Sequence, residues 1–223
     1  MVKRIKRLPL YFIGIVGLLV TSFLVICTFT KSAGFLLLNT YHSSFLDVFF
    51  KILTNLGDGV LSILLIITLF ILKKRKKAST LLIAYASSGL LVQIMKRIFD
   101  LPRPRLTLEQ LNMSYPYFVS GVALHDHHSF PSGHTASAFA LATVLVLVFK
   151  KHKISIPCIV IASLIGYSRI YLAQHFLIDV LVGMFLGTIC ALLGYYQVYD
   201  LKLFRSLKAA RRLRKSRLQV SNI

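Results

Sequence analysis

Acidic residues are scarce: 7 Asp and Glu among 223 residues, against 27 Lys and Arg, for a formal net charge of +20. Charge of any kind is thin as well. Asp, Glu, Lys and Arg make up 15% of the chain, where a soluble domain carries about 25%. Apolar residues take the space, at 56%. Intrinsic disorder needs low hydrophobicity and is excluded. A soluble globule is strongly disfavoured, because so short a chain has too small an interior for this much apolar surface. Cysteine is sparse and odd in number: Cys27, Cys158 and Cys190 each lie inside an apolar stretch. Neither a disulfide framework nor a zinc site is expected from them. No internal repeat stands out, and no low-complexity stretch beyond a basic tail. What is left is an all-α, polytopic membrane protein of one domain.

The apolar runs divide the chain. Leu8 to Phe29 is uncharged and long enough to cross a hydrocarbon core of about 30 Å as a helix. The basic residues Lys3, Arg4, Lys6 and Arg7 precede it as a signal peptide would begin, but the run is long for that role and Lys31-Ser32-Ala33 is a poor cleavage site. An uncleaved first span is expected. Further spans are expected at Leu56–Leu72, Ala78–Met95, Ser132–Phe149, Ile154–Tyr171 and Phe176–Tyr199. Phe35 to Leu53 is apolar but interrupted by Asn39, His42, Asp47 and Lys51, which reads as an amphipathic helix lying at the interface. The expectation is a six-transmembrane-helix bundle with both termini on one side. Gly183 and Gly187 form a GxxxG spacing in the last span, read as close helix packing.

The basic residues choose the orientation. Twenty of the 27 fall at the N-terminus, in Lys73–Lys77, around Lys150–Lys153 and in the tail from Lys202 to Arg217, all on one side of the six-span scheme. Positive loops stay in the cytoplasm, so both termini are expected there and the loop from about Arg97 to Pro131 outside. This division by topology also argues against a nucleic-acid-binding face.

Three outward segments carry chemistry: Lys96 to Pro104, Pro131-Ser132-Gly133-His134, and Ser168-Arg169 followed by His175 and Asp179. Each has a bland reading alone. Lys96 and Arg103 could be interfacial anchors, Ser132 a helix cap, and His175 with Asp179 a structural pair one turn apart. Together they describe an anion site. Lys96, Arg103 and Arg169 supply three cations, two of them planar guanidiniums that suit phosphate oxygens. The Ser132–His134 segment opens a helix, whose free N–H groups attract an anion. Two imidazoles add one group to attack phosphorus and one to move a proton. The run His125-Asp126-His127-His128 resembles a metal site, yet four consecutive ligands rarely converge on one ion, so an exposed loop near the mouth is expected. Asp58 reads as a helix-end residue.

Lys96-x6-Arg103-Pro104, Pro131 to His134, and Ser168-Arg169-x5-His175-x3-Asp179 match in order and spacing the signature of the type-2 phosphatidic acid phosphatase superfamily, the membrane lipid phosphatases related to vanadium-dependent haloperoxidases. The pattern resembles that family with no signature residue departing. The resemblance implies His175 as the nucleophile of a phosphohistidine intermediate, Asp179 as its orienting partner and His134 as the proton carrier. Lys96, Arg103, Arg169, Ser132 and the Gly133 amide would hold the phosphoryl oxygens, with no metal and no cofactor. It implies a single membrane-embedded domain over 1–223, with its motif core at 96–179 and a basic cytoplasmic tail from about 200 to 223. The substrate would be a lipid phosphate monoester or diphosphate of the undecaprenyl diphosphate, phosphatidylglycerophosphate or lipid A phosphate class. It would be met at the outer leaflet of a bacterial inner or plasma membrane. A lipid phosphotransferase sharing the intermediate, and a small anion transporter, are the rival readings.

Overall fold

The computed structural model describes residues 9–149 and 152–201, and everything regular among them is helical. The N-terminal basic cluster, Lys150, Lys151 and the tail from Lys202 lie outside the described residues. Nine α-helices follow in order: α1 (Pro9–Thr28), α2 (Lys31–Leu38), α3 (Ser44–Leu53), α4 (Val60–Ile71), α5 (Arg75–Phe99), α6 (Pro104–Gln110), α7 (Gly133–Phe149), α8 (Ser155–Tyr171) and α9 (Leu177–Tyr199). A 3₁₀ turn, Thr54–Gly57, joins α3 to the start of α4.

By length and composition three segments can cross a bilayer: Leu10–Thr28, Arg75–Gln110 and Leu177–Tyr199. A fourth arises if Ser44–Gly57 and Val60–Ile71, bent by 44°, count as one. α7 and α8 have 17 residues each, about 26 Å of helix. The expected second span starts late because Asp58 and Gly59 interrupt it. Gly59 sits at φ +99°, and Asp58 Oδ1 accepts the Val60 N–H at 2.8 Å. This is the helix-end role read for Asp58.

The expected amphipathic helix over Phe35–Leu53 is two helices. Asn39 ends α2 and turns its amide inward, donating Nδ2–H to the Ile170 carbonyl at 2.9 Å. Ser43 then caps α3 by accepting the Leu46 N–H. Three of the four polar residues that interrupt the apolar run, Asn39, His42 and Asp47, thus serve one partly buried network. His42 reaches Asn39 Oδ1 at 2.8 Å and Asp47 Oδ1 at 3.3 Å, stacks on Tyr171, and Tyr171 donates to Asp47. α3 keeps an apolar outer face of Phe45, Val48, Phe49 and Ile52.

α7 is the central helix. It packs against α5, α8 and α9 and is apolar around its whole circumference, the pattern of a helix enclosed on all sides. α9 approaches it through the two glycines of the GxxxG spacing. A Cβ on Gly183 would fall 2.6 Å from Ser132 O, and one on Gly187 would fall 2.2 Å from Ala136 O. Only glycine permits that approach. α1 lies on the outside, with Ile13, Val16, Val20 and Phe23 half or more exposed. It is pinned to the centre by a 2.9 Å hydrogen bond between Tyr11 and Thr143.

Candidate active site

The end of α3, the 3₁₀ turn after it, the C-terminal half of α5, the start of α7 and the end of α8 meet around one cavity of about 770 Å³. Lys96, Arg103, Gly133, His134, Arg169 and His175 all line it. Ser132 and Asp179 stand directly behind that wall, both fully buried. The three sequence motifs are therefore one place in space.

Local backbone explains how the third motif reaches it. α8 ends with Ala173 in the left-handed region at φ +53°. The Gln174 N–H returns to Arg169 O at 2.9 Å and the Ala173 N–H to Ile170 O at 2.9 Å, the paired bonds of a Schellman ending. The reversal sets the His175 N–H on the same Arg169 carbonyl at 3.0 Å, so arginine and histidine are placed by one turn. Asp179, in the first turn of α9, then faces back. Its Oδ2 accepts the Phe176 N–H at 2.9 Å and the Ser129 hydroxyl at 2.5 Å, and stands 3.4 Å from His175 Nδ1. One carboxylate caps a helix and orients an imidazole, leaving His175 Nε2 for the cavity. Burial pushes the His175 imidazole down to about 4, against the opposing pull of Asp179. It is neutral at physiological pH.

The α7 N-terminus is the second wall. The Ser132 N–H bonds the Asp179 carbonyl at 3.0 Å. Its hydroxyl accepts from Thr135 N–H at 3.4 Å and Thr135 Oγ1 at 2.8 Å. Ser132 is thus occupied as the helix cap, and the cavity meets Gly133 and His134 beyond it.

Each cation has a protein acceptor. Arg103 donates Nε–H to His127 O at 2.9 Å and one Nη1–H to Gln174 Oε1 at 2.9 Å. Lys96 Nζ donates to His128 O at 2.7 Å. Arg169 Nη1 donates to Thr54 Oγ1 at 2.6 Å, and its Nε is buried with no partner among the described residues. A buried donor in that condition costs free energy until an acceptor arrives. Burial also lowers the Arg103 guanidinium from its usual range, with Asp179 opposing.

The histidine-rich loop does its work mainly through backbone. Its carbonyls hold Lys96 and Arg103, while His128 Nδ1 pairs with Asp100 at 2.9 Å and His127 lies 3.7 Å from the same carboxylate. His125 lines the cavity. Among the described residues no group of three or more His, Cys, Asp or Glu is disposed to hold a metal ion. Sequence reasoning missed Gln174, Ser129 and Thr54. Gln174 and Ser129 flank motif residues and are polar in apolar surroundings, a signal that was legible. Thr54 is 115 positions from its arginine and carried none.

The PAP2 superfamily model matches residues 77–203. A lipid A 1-phosphatase of Rhizobium etli is 29% identical over 156 residues, 61% of this chain and 65% of that protein. The chain thus spans less than two thirds of that curated relative. Two crystal structures resemble the fold. Aquifex aeolicus LpxE has a TM-score of 0.63 at 37% identity, covering 72% of this chain and 91% of that one. A transmembrane PAP2-type phosphatidylglycerolphosphate phosphatase from Bacillus subtilis has a TM-score of 0.59 at 25% identity, covering 92% of this chain and all of that one. With more than half of its length matched by the family model and all three motif segments gathered on one cavity, the chain belongs to the PAP2 superfamily.

Proposed function

We propose that this protein is an integral membrane lipid phosphatase working through a phosphohistidine. The observation that carries the reading is the His175–Asp179 pair opening onto a cavity walled by Lys96, Arg103 and Arg169. His175 Nε2 attacks phosphorus as the bond to the leaving oxygen breaks, and His134 gives that oxygen a proton. Water then attacks the phosphohistidine, His134 takes the water's proton, and the P–N bond breaks to free phosphate. Asp179 fixes the tautomer of His175. Lys96, Arg103, Arg169 and the Gly133 amide hold the phosphoryl oxygens, with Ser132 setting the α7 N-terminus. Phosphoryl transfer needs chiefly positioning and charge stabilisation, and these residues supply both without a metal or cofactor.

The whole chain, 1–223, is read as one domain crossing the membrane six times, through α1, α4, α5, α7, α8 and α9. The end of α1 and the mouth residues then face outward, with both termini in the cytoplasm. Supporting this, Lys73–Lys77 and Lys153 sit at the helix ends opposite the cavity. Substrates are lipid phosphate monoesters or diphosphates of the kinds named for its relatives, or undecaprenyl diphosphate, with tails in the bilayer.

The test is phosphate release by detergent-purified protein from a panel of lipid phosphates, before and after exhaustive chelation. Release that survives chelation and disappears in His175→Ala is expected. Release by His175→Ala at the wild-type rate overturns the nucleophile. For orientation, a single cysteine at the exposed Ser114, in a background lacking the native three, should react with an impermeant thiol reagent on intact cells. Reaction only after the membrane is opened reverses the topology.

A further inference from the structure

The turn that places His175 has a second face. Behind it, α1, α2, α8 and the start of α9 leave a crevice in two parts, of about 150 and 210 Å³, that meet at Leu177. Phe176, Leu177 and Ile178, the residues between His175 and Asp179, wall the outer part. The catalytic cavity meets Gln174 and His175 instead. Along α1 the crevice runs from Leu18 past Ser22 and Ile26 to Phe29. That stretch of helix covers about 17 Å, close to the depth of one leaflet's hydrocarbon, about 15 Å. At its outer end Lys31 opens α2, with Nζ 4.0 Å from the centre of the Phe176 ring.

We propose that this crevice binds an anionic phospholipid that is not the substrate, from the leaflet at the cavity end of the bundle. One acyl chain lies in the crevice and the lipid phosphate meets Lys31. The inference goes beyond the phosphatase reading and is tested without turnover.

Three observations carry it. The first is shape. A helix of another protein is 10–12 Å across and over that length needs on the order of 1,500 Å³, far more than the crevice offers, whereas a single chain is narrow and as long as one leaflet is deep. The second is chemistry. The walls are mostly apolar, and the hydroxyls of Ser163 and Tyr167 are already given to Ile159 O at 2.7 Å and Leu38 O at 2.9 Å. Water does not settle in an apolar space, and walls without neighbours forfeit dispersion contacts, so hydrocarbon fills it best. The third is charge. No carboxylate lines either part, and no acceptor among the described residues engages Lys31. A lysine that serves only as an anchor extends toward the headgroups. Lys31 lies across the ring that walls the crevice, so the phosphate it meets belongs to the lipid whose chain lies beneath.

The experiment titrates detergent-purified full-length protein with phosphatidylglycerol or with phosphatidylcholine of the same chains, neither of them a phosphate monoester, and counts bound lipid by native mass spectrometry. Wild type should hold phosphatidylglycerol about fivefold more tightly, the effect of one lysine on an anionic headgroup. Lys31→Gln should bring the two lipids within about twofold of each other. Ser22→Phe fills the inner part and Gly34→Leu the outer part, where a Cβ meets only Phe29 Cβ at 3.7 Å. Each should weaken both lipids severalfold and leave their ratio unchanged. Lys96→Gln, in the catalytic cavity, should alter neither. The thermal midpoint without lipid reports the folding of each variant, and its rise with phosphatidylglycerol reports binding to the folded state. Equal affinity of wild type for the two lipids overturns the site, as does a preference that survives Lys31→Gln. Full binding by both Ser22→Phe and Gly34→Leu removes the chain from the crevice. Loss of phosphatidylglycerol in Lys96→Gln alone places that lipid in the catalytic cavity and also overturns the site. None of these outcomes touches the phosphatase reading, which stands or falls on phosphate release.

Discussion

The two ends of the helix bundle use the same residue types in opposite ways. At the end opposite the cavity, Lys73, Lys74, Arg75 and Lys76 are exposed, and Lys77 rests over the Phe149 ring at 4.1 Å. At the cavity, Arg103 and Arg169 are 9% and 8% exposed, each held by named acceptors. Exposed lysines can report which side of a membrane a loop occupies and need no fixed geometry. Guanidiniums buried against Gln174, Thr54 and loop carbonyls have lost their water and are aimed. Acceptors and burial, rather than the count of charges, separate topology from recognition.

The largest effect that comparison implies is at its centre. His175→Ala should retain its fold and lose essentially all turnover, because no other described imidazole stands against Asp179. In the wild type, kcat/KM should rise with pH through about 4 and then level off with respect to this group, since a histidine nucleophile, the role proposed for His175, attacks only when neutral, and burial lowers this imidazole to about 4. A pH–rate profile shows whether the acid limb sits there or near an ordinary histidine value.

Next in size is the geometry of the cations. Arg169→Lys keeps the charge but loses the fork that spans Thr54 and the unpartnered Nε. A loss of about 10²-fold in kcat is expected, as when one oriented donor is removed from a charge-stabilising site. Turnover within twofold of wild type would mean that charge alone suffices and that the two ends differ less than their burial suggests.

Much of this arrangement was legible in the sequence, for reasons that also explain the gaps. α1, α7, α8 and α9 begin and end within a residue or two of the apolar runs that announce them, because apolar length sets a helix in lipid. The signature spacings located the cavity residues because Arg169, His175 and Asp179 belong to one turn and the helix after it. The division of Phe35–Leu53 was not legible. Asn39 breaks that run by bonding Ile170, a contact across 131 positions, and no local pattern encodes it. Thr54 escaped notice for the same reason. Ser132, expected to hold phosphoryl oxygens, has its hydroxyl engaged by Thr135, a detail that depends on which rotamer the cap adopts.

Packing between α7 and α9 gives the next prediction, smaller in activity and read in stability. Gly187→Ala drives a methyl to 2.2 Å from Ala136 O, and backbone cannot yield as a flexible side chain does. A cost of about 1–3 kcal/mol is expected, seen as a lower thermal midpoint in detergent. Gly17→Ala, where a Cβ meets nothing within 4 Å, is the control and should be neutral or stabilising.

The smallest effect is expected at the far end. Lys73, Lys74 and Arg75 replaced together by glutamine should leave kcat/KM within about twofold. Arg75 and Lys96 bound 21 helical steps of α5, which places the two charge clusters about 32 Å apart. Exposed charges at that distance are screened at physiological salt, where the Debye length is about 8 Å. The measurement is a comparison of rates at low and physiological ionic strength. If the triple variant loses tenfold at both, the far lysines act on the cavity through the helix rather than through solvent, and the separation of roles between the two ends fails. A deficit that appears only at low salt is ordinary long-range attraction of an anionic substrate and leaves the separation standing.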